Sequence, residues 1–219
     1  MSVELANTAA WLDTIYGRCE KQHGELVFIA ASRNKIHSVC DLEHMSLVDA
    51  AKTVVGRPGL YLKINPMNYA AMKERGRKER KTVVGGIAEV QSIVSLHIDV
   101  DAGKSEKYVT REHALWAIDQ MPHKPTLIAN SNGDKGGFHC YWCLAEPYRI
   151  PNTTIREKCN VLSTEWNKRL KTLCSGKLDS TGNIDRVLRV FGGKRTDGGV
   201  VTLHSYEPTN LYQLKDFVL

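Results

Sequence analysis

The run Ser92–Asp101, SIVSLHIDVD, constrains this chain more than any other stretch. Four of the six residues Ile93–Ile98 are Ile, Val or Leu, which predicts a buried strand. Residues two apart on a strand share a face, so the carboxylates of Asp99 and Asp101 project together from its end. Two like charges that close repel each other and raise each other's proton affinity unless a cation lies between them. Hard oxygen donors of this kind suit Mg²⁺ or Mn²⁺, with substrate phosphates completing the shell. A lone D-x-D is also a common solvated strand end, so the pair needs further chemistry along the chain before it means catalysis.

Composition narrows the classes. A chain of 219 residues with 42% apolar and 25% charged residues is ordinary for a soluble globular protein. The apolar stretches around Leu26–Ala31 and Ile93–Ile98 are too short to span a bilayer, and the N-terminus does not read as a signal peptide. A cytoplasmic protein is expected. The net charge of +6 is compatible with a polyanionic partner without proving one. The six cysteines show no framework spacing and read as reduced thiols.

Along the chain, periodicity and end signals predict a helix over Val3–Lys21, a strand at Leu26–Ala31, and a helix over Leu47–Val55 capped by Ser46. A strand over Gly59–Asn65, a helix over Met67–Arg75, the strand Ser92–Asp101 and a capped helix over Thr110–Met121 follow. Thr126–Ala129 and Gly137–Leu144 read as strands around the polar loop Asn130–Gly136. A long helix over Asn152–Leu173 comes next, then strands Val187–Phe191 and Val200–Ser205 joined by a Gly-rich turn, and a short closing helix at Leu211–Phe217. Two hairpin-like pairs, 126–144 and 187–205, argue for an α+β fold with an antiparallel or mixed sheet.

Three further groupings bear on chemistry. The segment from Asn130 to Gly137, NSNGDKGG, leads into the strand FHCYW that begins at Phe138. Its glycines let backbone N–H groups approach an anion, with His139, Ser131 and Lys135 as added donors. Downstream come Lys177-Leu-Asp179, Asp185-Arg-Val-Leu-Arg189 and Gly192-Gly-Lys-Arg195. Arg186 and Arg189 stand three apart, so on a strand they face opposite sides and at most one enters the site. The stretch Lys73–Lys81 holds six basic and two acidic residues, either a solvated face or a contact for a phosphate backbone. Cys140 and Cys143 lack a second ligand pair at zinc spacing and read as buried strand residues. Trp142 and Tyr141 read as core and rim of that strand.

Taken in order, these blocks resemble the archaeo-eukaryotic primase superfamily, in particular the primase-polymerase domains of phages and plasmids. The first family motif, a hydrophobic strand ending in D-x-D, is matched by Leu96-His-Ile-Asp99-Val-Asp101. The second, a Ser/Gly-rich turn leading to a strand histidine, is matched by Ser131 through His139-Cys-Tyr-Trp142. The third, a hydrophobic-Asp followed by an Arg-rich strand, is matched by Leu178-Asp179 and Asp185-Arg-Val-Leu-Arg189-Val-Phe-Gly192. Tyr61–Pro66 and Gly86–Val90 are weaker landmarks. The family's usual Pro before Gly is here Phe191, and Gly193-Lys194-Arg195 replaces its Thr/Ser-x-Asn.

The resemblance implies one catalytic domain over residues 1–219: an N-terminal α/β part to about residue 90, packed on an RRM-like part from about 91 that carries the acidic motifs. It implies primer synthesis or extension on single-stranded DNA from NTPs or dNTPs, as a template-directed nucleotidyltransferase. Two Mg²⁺ or Mn²⁺ ions would be held by Asp99, Asp101 and Asp179, with Asp185 as the alternative third ligand, and no zinc. The nucleotide would be bound by His139, Ser131, Lys135, Arg186, Arg189 and Lys194. Nucleic acid would be bound by Arg75, Arg77, Lys78, Arg80 and Lys81. A phage or mobile-element origin in a bacterial or archaeal host follows, as does a helicase outside this chain, since the sequence carries no G-x-x-x-x-G-K-[ST]. The same carboxylates would equally serve a metal-dependent nuclease. A non-catalytic nucleic-acid-binding module is the remaining alternative.

Overall fold

The computed structural model describes residues 1–30, 35–103, 105–194 and 198–217. Ala31, at the end of the first expected strand, and Arg195, in the Gly-rich turn, lie outside the described residues. The order is α1 (Val3–Tyr16), β1 (Leu26–Ala30), β2 (Lys35–Cys40), α2 (Leu47–Val54), β3 (Leu60–Lys63) and α3 (Tyr69–Glu79). Then follow β4 (Ser92–Val100), α4 (Arg111–Asp119), β5 (Leu127–Asp134), β6 (Phe138–Arg149), α5 (Thr153–Leu173), β7 (Val187–Arg189) and β8 (Thr202–Tyr206). Each of these helices opens on a short polar side chain that accepts a backbone N–H of its first turn: Ser2, Ser46, Asn68, Thr110 and Asn152.

The strands form two sheets in which every pairing is antiparallel, in the orders β2-β1-β3-β7 and β4-β6-β5-β8. In the second sheet, β4 and β5 flank β6 and are joined through α4, a split β-α-β arrangement with β8 added at the edge. This sheet is covered on both faces. Leu96, Ile98, Val100, Cys140 and Trp142 share a core with Ala117 and Ile118 of α4 and Trp166 and Leu170 of α5. Leu127, Ala129, Tyr141 and Cys143 join Trp11, Leu12 and Ile15 of α1 and Phe28, Leu62 and Leu188 of the first sheet.

The structure departs from the sequence reading in several elements. The expected hairpin 187–205 does not form as one: β7 pairs with β3 in the first sheet and β8 with β5 in the second. Between them the chain pairs only briefly, with Gly192 N–H donating to Val201 O at 3.0 Å and Val201 N–H to Gly193 O at 3.3 Å. The N-terminal part is therefore not self-contained, since its fourth strand is β7. The edge strand β2 went unread because its residues, KIHSVC, are half-exposed and interrupted by polar positions. The helix expected over Met67–Arg75 starts later, on the Asn68 cap, and runs through the basic stretch to Glu79.

The β4–β6 ladder is broken once. Ile93 pairs with Tyr148 and Ser95 with Cys143, so Leu144–Pro147 bulge away opposite Val94. The bulge finds other partners: Ala145 N–H donates to Tyr212 O at 2.7 Å, and Arg18 Nε to Leu144 O at 3.1 Å. On the β4 side, Asn65 supplies the missing acceptor. Its side chain is buried; Oδ1 accepts from Val94 N at 2.9 Å and Nδ2 donates to Ile184 O at 3.0 Å. Replacing Asn65 with Leu strands a buried donor and a buried acceptor and is expected to cost about 1–3 kcal/mol. Urea unfolding measures this; an unchanged midpoint would show that the amide carries no load.

Candidate active site

Beyond the bulge, Ser95–Val100 pair in unbroken register with Cys143–Phe138, which sets Asp99 directly opposite His139. His139 is buried, and its Nε2 lies 3.7 Å from Asp99 Oδ1. Asp99 Oδ2 faces Arg186, whose Nη2 stands 3.4 Å away. The second sheet thus meets the turn ahead of β7 through one carboxylate, which keeps 21% of its side-chain surface exposed. Asp101 lies half-buried just past the end of β4. His97, two residues before Asp99 on the same strand face, is fully buried; burial pushes its pKa down to about 4, so the ring is neutral at pH 7.

The β5–β6 tip packs against the end of β4. A Cβ on Gly137 would stand 1.7 Å from the Val100 carbonyl oxygen, so only glycine fits this approach. Ser131 is not in a loop, as the sequence reading had it, but buried within the longer β5. Its N–H donates to Gly137 O at 2.9 Å and its carbonyl accepts from Arg189 Nη2 at 2.9 Å. Lys135 and Lys194 are exposed. The backbone of Lys194 bridges Val200, whose carbonyl accepts from Gly133 N at 3.0 Å, so this segment borders the tip.

Both Arg186 and Arg189 reach elements of the site, contrary to the expectation of at most one. Strand parity does not apply, because Arg186 precedes β7 in a turn and is not part of the strand. That turn is anchored by Lys63, a buried lysine of β3, whose Nζ donates to Asp185 O at 2.6 Å and lies 3.5 Å from Asp185 Oδ2. Burial lowers the Lys63 pKa, and the Asp185 carboxylate works against that shift. Asp185 is thereby committed to a lysine. Asp179 is exposed, on a segment that Thr181 ties to β4 by donating to Asp99 O at 3.4 Å.

These donors suit a hard divalent cation: carboxylates at one strand end, one of them partly exposed, with a third on the adjoining segment. They are not drawn together tightly. Among the described residues, the one set of three His, Cys, Asp or Glu donors lying within 4.8 Å of one another is Asp41, Glu43 and His44, away from these motifs in sequence. Cys140 and Cys143 point into opposite cores, and burial pushes the Cys143 thiol up to about 12. Tyr141, expected at the rim, is fully buried like Trp142.

On α3, the basic residues meet nearby acids. Arg77 forks onto Glu74 at 2.9 and 3.1 Å, Lys78 reaches the same carboxylate at 3.4 Å, Lys81 pairs with Glu79 at 2.8 Å, and Arg75 pairs with Glu89 at 3.2 Å. Arg80 adopts a left-handed backbone, φ 51°, at the helix end.

No protein-family description and no curated protein matches this chain. Solved structures do. The AEP domain of the cyanophage S-2L primase-polymerase superposes with a TM-score of 0.57 at 17% identity, covering 97% of this chain and 95% of that one. The catalytic domain of the primase RepB′ in complex with initiator DNA gives 0.52 at 12% identity, covering 96% and 88%. A second RepB′ primase structure gives 0.50 at 10% identity, and this chain spans 58% of it. The chain has the archaeo-eukaryotic primase fold. Among the described residues, no helix of this primase-fold chain is long and apolar enough to cross a membrane.

The sequence reading missed Arg111, the first residue of α4. Its guanidinium donates to Asn130 Oδ1 at 2.9 Å and to the Gly136 carbonyl, and lies 4.4 Å from the Phe138 ring centroid. The signal was present: a cation in the first turn of a helix opposes the macrodipole and so needs a partner elsewhere. Lys63 was missed because a strand lysine reads as exposed.

Two outcomes follow from this geometry. Gly137→Ala is expected to destabilise the chain by roughly 1–3 kcal/mol or more, because the methyl must part β6 from β4; a melting temperature equal to the parent's contradicts the packing. In the native state Cys140 and Cys143 are expected to resist a thiol reagent at pH 8 and to react after unfolding. Their folded-state pKa values are raised, so their contribution to stability is intact below the ordinary thiol value of 9.0 and declines as pH rises above it. Fast native labelling of either would contradict their burial.

Proposed function

We propose that this chain is a template-directed nucleotidyltransferase that makes or extends primers on single-stranded DNA. The observation that carries the reading is the placement of Asp99: opposite His139 in the ladder, and faced by Arg186, within a primase fold. In the proposed reaction a 3′-hydroxyl attacks the α-phosphorus of an incoming nucleotide, and pyrophosphate leaves. Mg²⁺ or Mn²⁺, when bound by Asp99, Asp101 and Asp179, would neutralise developing charge and acidify the attacking hydroxyl.

The remaining work is positioning and charge neutralisation by the chain itself. His139, fixed in a buried strand, presents Nε2 toward the acidic end and can donate to a phosphate oxygen from that position. Arg189 carries its guanidinium to the β5–β6 tip, and Lys135 and Lys194 project from the exposed segments around it, so cations border the path of a triphosphate. Asp185 orients the turn through Lys63 and leaves the third ligand position to Asp179.

Template contact is assigned to α3. Its exposed ion pairs are each worth about 0–1 kcal/mol, so phosphates can displace Glu74 and Glu79 from their partners. Arg77→Ala with Lys78→Ala is expected to weaken single-stranded DNA binding regardless of sequence. It should reduce the dependence of log K on log salt by roughly 0.7 for each phosphate no longer neutralised; an unchanged slope would remove α3 from the interface.

The test of the activity is incorporation of labelled nucleotide on single-stranded templates, with and without a primer, in Mg²⁺ or Mn²⁺. Metal-dependent product that falls at least about a hundredfold in Asp99→Ala plus Asp101→Ala is the expected result. Shortening of the labelled strand without incorporation would assign the same carboxylates to a nuclease.

A further inference from the structure

Asp99 has a nitrogen donor facing each oxygen, the His139 ring at one and the Arg186 guanidinium at the other, yet neither contact is tight. The distances of 3.7 Å to His139 and 3.4 Å to Arg186 exceed the about 2.7–2.9 Å of a charge-assisted hydrogen bond. The base of Arg186 is held firmly. Its N–H donates to Asn183 O at 3.1 Å, its carbonyl accepts from Ile64 N at 3.2 Å, and Lys63 secures the residue before it. The side chain is not held in the same way: Nε is shielded from water with no hydrogen-bond partner, while 34% of the side chain is exposed. A guanidinium with unmet donors on a fixed base is matched to a forked oxyanion such as a phosphate. A divalent cation placed on Asp99 would also stand close to this guanidinium, where like charges repel strongly in a half-buried site.

We propose that Arg186 is the resident counter-ion of Asp99. It occupies the carboxylate while neither metal nor nucleotide is bound, and transfers to the nucleotide's phosphates when they arrive. Metal and nucleotide then bind cooperatively, because each removes the obstacle to the other, and the coupling is reciprocal. The contact also gives a half-buried acid a fixed positive charge in the empty enzyme. This inference rests on Asp99 being a metal-ligating residue of a nucleotidyltransferase, as proposed above.

The experiment is Mn²⁺ binding to the full chain, followed by calorimetry for the metal alone and by water-proton relaxation when dATP is added. The parent is compared with Arg186→Gln and Arg186→Met, two neutral replacements of different polarity, and with Asp99→Asn. Variants are judged only if they melt cooperatively near the parent temperature. In the parent, dATP is expected to tighten Mn²⁺ binding. In the Arg186 variants, Mn²⁺ alone is expected to bind about tenfold tighter than in the parent, and the further tightening by dATP, whose phosphates also ligate the metal, should be about tenfold smaller than in the parent. Asp99→Asn is expected to abolish the site.

Unchanged or weaker Mn²⁺ binding in folded Arg186 variants, with Asp99→Asn still abolishing it, overturns the counter-ion role and leaves the nucleotidyltransferase reading standing. Mn²⁺ binding that survives Asp99→Asn combined with Asp41→Asn, which removes the other candidate donor set, overturns both.

Discussion

The backbone at Val94 has to find an acceptor where the β4–β6 ladder breaks, and the buried amide of Asn65 provides it. That amide comes from the segment after β3, and its other end holds Ile184, just ahead of the turn that carries Arg186. One side chain therefore fixes the bulge in the second sheet, the exit of the first sheet, and the approach of the arginine. Below the bulge the ladder is regular, so Asp99 and His139 inherit their alignment from it. A slip of one residue in that register would turn Asp99 toward the α4–α5 core, where a carboxylate has no partner.

The charges at the junction obey the same logic. Buried Lys63 meets the partly exposed Asp185 at the edge of the first sheet, and Asp99 lies between His139 and the Arg186 that precedes β7. Ions removed from water are tolerated only when paired. The pairing here is graded: Lys63 has a short bond to the Asp185 carbonyl at 2.6 Å beside its 3.5 Å carboxylate contact, whereas Arg186 has a single 3.4 Å contact to Asp99. A firm anchor beside a loosely held guanidinium is what the proposed nucleotide site requires.

Much of this was legible in the sequence. The strand ending at Asp99 and Asp101 stood out because β4 is covered on both faces and so reads as a near-continuous apolar run. The helix starts were legible from Ser46, Thr110 and Asn152, since capping is a local interaction. The fates of β7 and β8 were not, because local hairpin chemistry around Gly192 says nothing about which sheet each strand joins. Strand parity failed for Arg186 because it assumed a strand where a turn exists. The burial of Tyr141 was hidden because its outward face on the second sheet becomes an inward face once α1 and the first sheet pack on it. The joint role of Asn65 depends on partners 29 and 119 positions away, which no local pattern carries.

Asp99, aligned by the β4–β6 ladder, and Asp101, just past the end of β4, are the proposed metal and nucleotide centre of this chain. Anomalous diffraction at the manganese edge from crystals soaked with Mn²⁺ and a dNTP tests it most directly. A manganese peak beside Asp99 and Asp101, with the triphosphate extending toward His139 and the β5–β6 tip, is the expected result. Manganese found only at Asp41, Glu43 and His44, with no peak at the end of β4, would contradict it.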